Sequence, residues 1–438
     1  MTDRRDPPPG HWVLSPGLAA GILCGVVCLV AGFVFARVEL ALVGVPILVA
    51  AAYGWDRRPG TGAGTGPLVH PRAVVDDGTA AESGLAVRAS VSADARMDAV
   101  HLRWEQQDRP PLEAVISPAQ ARALYARVPM THSGPQRLIR MTARGIGPDA
   151  TFVTLPADPV AVERVVRPRL VPLRSLPLPA RLAGLTGPHP SSRPGDGGEF
   201  RDVARFQPGD RLRRIDWKAT ARRAQLPGEL YVRRTMATSD AAVQLVLDSR
   251  DDVTGRVLDW AAPYPEPGVS SQDLAREAAG SLAAAYSAVG DRVAFDDLAD
   301  ARRALPPRSG RRHLERVLRA VERTAPRGPA GERVRPPLLE AGALVYILST
   351  FLDDQPMRVA LTWRAAGHRV IAVDVLPHRL VRDLPRRDAI ALRVIELERA
   401  LRFRRLTAGG VEWLTWQDPQ GDAREARMRE LSRPRRPA

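Results

Sequence analysis

The chain has no asparagine, and Lys218 is its only lysine, although Lys and Arg together number 64 against 49 acidic residues. The net charge of +15 is therefore an arginine excess, which reads as codon bias towards GC-rich arginine codons rather than a nucleic-acid footprint. Zinc-finger spacing and aromatic-bearing RNA-recognition strands are also missing, so no nucleic-acid partner is expected. Cysteine is nearly absent: Cys24 and Cys28 stand one helical turn apart in an apolar run, as packing residues, and a disulfide framework is excluded. There is no Gly-x-Ser-x-Gly elbow, no His-Glu-x-x-His pair and no plausible nucleophilic cysteine. The glycine-rich run from Gly60 to Gly66 lacks the lysine of a phosphate loop and reads as a flexible linker. No recognisable catalytic motif remains, and the expectation is a protein that is not an enzyme.

What is present is two long apolar runs. Leu14 to Ala36 is apolar or small apart from its ends, and Leu40 to about Trp55 repeats the pattern after Arg37-Val38-Glu39. Together they predict a two-helix transmembrane hairpin, with Tyr53 and Trp55 at the level of an interfacial belt. Arg4, Arg5, Arg57 and Arg58 flank the hairpin against Arg37 alone in its connection. That places both ends in the cytoplasm, so the protein is multi-pass in the cell membrane with the bulk of the chain cytoplasmic. The remaining length suits two soluble domains. Accordingly, 1–13 is read as a cytoplasmic N-terminus, 14–55 as the hairpin, 56–67 as the linker and 68–156 as a small β-rich, sandwich-like module. Residues 157–196 read as an extended proline-rich linker, 197–234 as a polar latch, 235–420 as an α/β domain and 421–438 as a basic tail.

The 68–156 module rests on period-two alternation, as in Leu85, Val87, Ala89 and Val91, or Val100, Leu102 and Trp104. His101 and His132 are isolated and read as satisfied histidines. In the linker, prolines forbid a long helix while Leu170, Leu173, Leu176, Leu178, Leu182 and Leu185 imply packing on something. Beyond residue 235, short apolar runs alternate with helical spacing. Strands are expected at Ala242–Leu247, Arg292–Phe295, Ala343–Leu348, Arg369–Val375 and Val411–Trp416. Helices are expected at Ser271–Val289, Arg311–Glu322, about Pro356–Ala366 and Asp388 to about Arg402. This order predicts an α/β, Rossmann-like, mostly parallel sheet with helices on both faces.

Between Gly197 and Arg234 charges of both signs are interleaved with Phe200, Phe206, Ile215, Trp217 and Tyr231. Aromatic groups at this density argue for burial, and buried charges must pair. Arg213 and Arg222 are therefore expected to fork onto Asp210 and Asp216, with Pro208-Gly209 as the turn between the two halves. Glu199-Phe200-Arg201, Arg205, Pro208-Gly209-Asp210, Arg213, Asp216-Trp217-Lys218 and Arg222 stand in an order that resembles the signature of the bacterial family catalogued as domain of unknown function number fifty-eight. The resemblance covers roughly Pro168 to Trp416. It implies a von Willebrand factor A-like fold downstream, membrane anchoring and association with a MoxR-type AAA+ ATPase, but no reaction.

In von Willebrand A folds the strand-end edge holds a divalent cation through an Asp-x-Ser-x-Ser loop. Here the loop reads Asp248-Ser249-Arg250-Asp251-Asp252, with Arg250 and Asp252 where the hydroxyl donors would stand. Either the guanidinium neutralises Asp248 without metal, or Asp248, Asp252, Thr350 and Asp353 hold Mg2+. The first reading is preferred, with no cofactor. The leading functional expectation is thus a membrane-anchored docking module. The alternative is a metal-dependent hydrolase using Glu199, Asp210 and Asp216 with Lys218 and Arg222. The arginine-rich C-terminus is a solvated tail or lies on the anionic leaflet.

Overall fold

The computed structural model describes residues 12–57, 69–81, 84–94, 96–107, 109–180, 182, 187–326, 339–381, 384–418 and 420–433. The expected N-terminal arginines, most of the glycine-rich linker, Leu185 and the last five residues lie outside them. The chain divides into two compact units. One holds the described residues up to Thr131 together with Gln136–Arg164 and Pro263–Pro265, and the other holds the remainder.

The first unit starts with a short strand, β1 (Trp12–Leu14), followed by helices α1 (Pro16–Val34) and α2 (Val38–Asp56). Ser15 caps α1 by accepting the Leu18 N–H at 3.1 Å, and Pro16, which has no N–H to waste, occupies the first turn. Each helix has 19 residues, about 28 Å at 1.5 Å per residue, and both are long and apolar enough to cross a bilayer. Glycine lets their backbones meet: a Cβ on Gly44 would lie 2.9 Å from the Gly25 carbonyl oxygen.

The strands that follow are β2 (Val69–Ala81), β3 (Gly84–Ala93), β4 (Ala99–Glu105), β5 (Leu112–Ile116), β6 (Leu124–Val128), β7 (Gly134–Ile146), β8 (Phe152–Thr154) and β9 (Val160–Val166). One sheet runs β1-β8-β7-β4-β5 with β9 also on β7, and a second runs β2-β3-β6. Val69, Ala89 and Val91 of the second sheet share a core with Val100, Leu102, Met141 and Phe152 of the first, which makes the module a sandwich. Two expectations are corrected. Leu14 is not helical but belongs to β1, which pairs with β8, because the helix starts only after the Ser15 cap and Pro16. Val160–Val166 is likewise a strand and not linker, its period of two hidden between prolines. The Ser15 N–H donates to the Thr151 carbonyl at 3.0 Å, and Gly54 of α2 leaves room for the Thr151 side chain, so both open ends of the helical hairpin rest on the sandwich.

The second unit contains β10 (His189–Arg205), α3 (Trp217–Arg223) and β11 (Tyr231–Ser239), then β12 (Ala242–Leu247), α4 (Ser271–Ala288), β13 (Arg292–Asp297), β14 (Asp300–Arg308), α5 (Arg311–Glu322), β15 (Leu344–Ser349), α6 (Gln355–Ala365), β16 (Arg369–Asp374), α7 (Arg386–Ala408), β17 (Glu412–Thr415) and α8 (Asp422–Leu431). The central sheet has the order β14-β13-β12-β15-β16-β17, parallel from β13 to β17 with β14 antiparallel at one edge. Alternation along buried strands feeds two cores. Val243, Leu245 and Leu247 meet α4, α5 and α8, while Val246, Val345 and Ile347 meet α6 and the end of α7. Gly290, at φ 90°, ends α4 in the left-handed conformation that a side chain would resist.

Residues 421–438, read as a tail, contain α8, which buries Met428 and Leu431 in the first core; arginines along its outer side masked the apolar pair. The proline-rich segment packs Leu173, Leu176, Leu178 and Leu182 on that core. It is pinned there because the Tyr286 hydroxyl donates to the Pro177 carbonyl at 2.6 Å and Arg369 donates to the Leu178 carbonyl at 2.6 Å. A carbonyl only accepts, so the Tyr286 proton is committed, and the Tyr346 hydroxyl at 2.8 Å donates to Tyr286. Tyr286→Phe leaves two buried polar groups unpaired and should cost about 1 to 3 kcal/mol. Tyr346→Phe leaves none and should cost less; urea unfolding of both variants in detergent solution checks the order.

Candidate functional site

In an open parallel sheet the carboxyl ends of the strands converge on one edge, where ligands bind. Here β12 ends at Leu247, immediately before Asp248, β13 at Asp297, β15 at Ser349 and β16 at Asp374. Arg250, 8% exposed, folds back over this edge. Its Nε donates to Asp248 Oδ1 at 2.8 Å, one terminal nitrogen to Asp248 Oδ2 at 2.8 Å and the other to Gln355 Oε1 at 2.5 Å. Asp353 lies 2.8 Å from the same guanidinium. Asp248 also accepts the Ser349 hydroxyl at 2.7 Å. Burial works against the charge on Arg250, but Asp248 and Asp353 outweigh it and hold the group protonated above its usual range.

The neighbouring groups are spent locally. Ser249 donates to Asp297 at 2.7 Å, and Asp252 accepts the Gln272 N–H at 3.2 Å and the Ser271 hydroxyl at 3.5 Å in the first turn of α4. The Thr350 hydroxyl accepts the Leu352 N–H at 3.4 Å. Of the four candidate metal ligands, Asp248 and Asp353 thus share one guanidinium, while Asp252 and Thr350 serve backbone turns. The residues do not fit a divalent cation, because the positive charge that would occupy the space between the carboxylates is covalently present. Among the described residues no group of three or more His, Cys, Asp and Glu side chains is arranged to hold a metal ion. Burial first, and then Asp248 and Asp353, push the Asp251 carboxyl above its ordinary range.

The edge is clamped from α7. The Arg399 Nε donates to the Thr350 carbonyl at 2.8 Å, Arg399 also pairs with Asp374, and Arg402 pairs with Asp354 at 2.5 Å. Phe351 between them is buried in the left-handed region at φ 53°, a strained state for a side chain of this size, held by packing 5.2 Å from the Phe403 ring. The role of α7 was missed in the sequence, since nothing local in Arg399 or Arg402 announces a partner some fifty residues upstream.

The 197–234 latch has to be corrected. It forms an arm: β10 pairs antiparallel with β11, and the intervening residues carry α3. Pro208-Gly209 is the turn, with Gly209 at φ 101° and the Asp210 N–H on the Gln207 carbonyl at 3.0 Å. Asp210 accepts the Gln207 N–H at 2.9 Å and lies 3.5 Å from Arg234. Asp216 is the N-cap of α3, accepting the Ala219 N–H at 2.9 Å. Neither aspartate is forked by Arg213 or Arg222, which are exposed. Arg201 pairs weakly with Asp202 at 3.7 Å, Arg205 with Glu229 at 2.6 Å, and Glu199 is exposed. The expected burial fails because the aromatic and apolar groups themselves stay outside: Trp217 is 68% exposed, Leu212 69% and Leu226 70%, while Phe200 lies under the Arg233 guanidinium at 5.1 Å. Charges on such a surface are solvated and need no partner. Arg213, Lys218 and Arg222 make no ion pair among the described residues and are exposed on the same arm as Trp217.

Residues 202–408 match the family model described as Protein of unknown function DUF58. Uncharacterized proteins of Mycobacterium bovis and of two Mycobacterium tuberculosis strains are 33% identical over 211 residues, 46% of this chain and 62% of theirs. The chain therefore spans less than two thirds of the length of these relatives. No solved structure matches it significantly.

Two substitutions check this geometry. Arg250→Ala strands Asp248 and should destabilise the unit by about 3 to 5 kcal/mol. Asp216→Ala removes only a helix cap and should cost about 1 kcal/mol. Equal losses in chemical denaturation would contradict the contrast between a closed edge and a solvated arm.

Proposed function

We propose that this chain, whose residues 202–408 belong to the DUF58 family, is a membrane-anchored docking module that presents its arm to an acidic protein partner. The observation that carries the reading is the arm's exposed surface, which bears Leu212, Trp217 and Leu226 together with Arg213, Lys218 and Arg222, three cations that make no ion pair among the described residues. Isolated exposed apolar residues are ordinary, but an exposed Trp together with Arg is the composition of interface anchors. The hairpin would hold the protein in the cell membrane as a two-span anchor with the bulk of the chain in the cytoplasm. The sandwich, stitched to both hairpin ends, would lie at the bilayer surface. The parallel sheet, flanked by helices on both faces, is consistent with a von Willebrand A-like domain whose cation has been replaced by Arg250. By the family resemblance the partner would be a MoxR-type AAA+ ATPase.

The hydrolase reading is not favoured. Its carboxylates do not act together: Asp210 and Asp216 each hold their own turn, and Glu199 stands exposed on β10. A general base needs a proton within reach and a carboxylate free to take it.

A photo-crosslinker at position 217 of the membrane-embedded protein should trap a MoxR-type ATPase. Trp217→Ala should weaken binding of that ATPase by about 2 kcal/mol, roughly thirtyfold. Arg213→Glu and Arg222→Glu should weaken it as well while leaving the unfolding midpoint unchanged. Undiminished binding in all three variants would contradict the proposed surface.

A further inference from the structure

Helix α7 carries large apolar side chains on its outer side as well as on the side that packs against the domain. Its inner side carries Leu392 and Leu406, which are buried, and Arg399 and Arg402, whose guanidiniums grip the strand-end loops. Its outer side carries Ile390, Val394, Leu397 and Leu401, which are 58%, 49%, 56% and 46% exposed. Spacings of four, three and four residues align them in one stripe about 16 Å long. Arg386, Arg387, Arg393 and Arg404 are exposed on the same helix and make no ion pair among the described residues. The exposed acidic groups are fewer, and one of them, Glu398, is 3.4 Å from Arg402.

We propose that the outer face of α7 lies in the plane of an anionic lipid surface, its apolar stripe at the headgroup boundary and its arginines on lipid phosphates. An exposed apolar stripe bordered by arginines, on a helix of this length, is the composition of interfacial helices. Long arginine side chains can lay their stems along the stripe and keep their heads among phosphates. Charge decides against a second copy, because two α7 faces brought together would oppose arginine to arginine. The inference rests on the anchoring proposed above, which keeps the surface within reach of the helix at high effective concentration. Contact with lipid would also load the helix whose inner arginines hold Thr350, Asp354 and Asp374, joining the membrane to the sheet edge.

The test uses the full chain in nanodiscs, with Cys24→Ala and Cys28→Ala removing the native thiols. An environment-sensitive fluorophore is placed on Val394→Cys or, as a control on the exposed side of α5, on Glu315→Cys. Lipids bearing a nitroxide on the acyl chain should quench the 394 label in discs containing phosphatidylglycerol. The quenching should be lost in pure phosphatidylcholine and at high salt, and the 315 label should stay bright throughout. Equal brightness of both labels in phosphatidylglycerol discs, with the protein still co-eluting with the disc, would overturn the lipid contact and leave the anchor intact. Failure to co-elute would overturn both. A disulfide between two unlabelled Val394→Cys copies, in place of quenching, would overturn the lipid contact in favour of a dimer.

Discussion

The α/β unit depends on one ion pair at the end of its central strand. Strand β12 delivers Asp248 to an edge where three neighbouring strands also deliver polar or acidic termini, and a cluster of carboxylates with no counter-charge would not stay ionised there. Arg250, two residues along the same chain, answers this with a two-pronged fork and reaches Asp353 and Gln355 with its remaining donors. A buried pair of this kind adds little net stability when complete, but it is costly to break. Its consequence is positional. It fixes the 349–355 loop against β12, and that loop in turn is where α7 attaches through Arg399 and Arg402.

With that edge closed by its own cation, the unit has its uncommitted chemistry elsewhere. The arm displays Trp217, Leu212 and Leu226 with cations that make no ion pair among the described residues, and α7 displays a second apolar stripe with arginines. Both surfaces pair large apolar groups with positive charge.

Much of this was legible in the sequence. The six-residue, largely apolar run before Asp248, the helix from Ser271 with Gly290 behind it and the two apolar runs before Trp55 each follow from local pattern, and each lies where expected within a few residues. The arm was misread because aromatic density was taken to require burial, when alternation of charged and apolar groups suits a projecting hairpin equally well. Asp216 ahead of Trp217-Lys218-Ala219 already carried the signature of a helix cap. Strand β14 was missed because Pro306-Pro307 argues against a strand, and it survives only because it is an edge, where missing N–H groups cost no ladder bond. The contacts of Arg250 with Gln355, and of Arg399 with Thr350, could not be read at all, since they join segments far apart in the chain.

The central proposal is that the Arg250 guanidinium stands where a metal ion would at the strand-end edge. Thermal unfolding of the intact protein in detergent, compared in excess Mg2+ and in EDTA, tests it directly. If Arg250 already supplies the charge, the two midpoints coincide, because an ion that does not bind the folded state cannot shift its stability. A midpoint that rises with Mg2+ concentration, and falls back on chelation, would contradict the account.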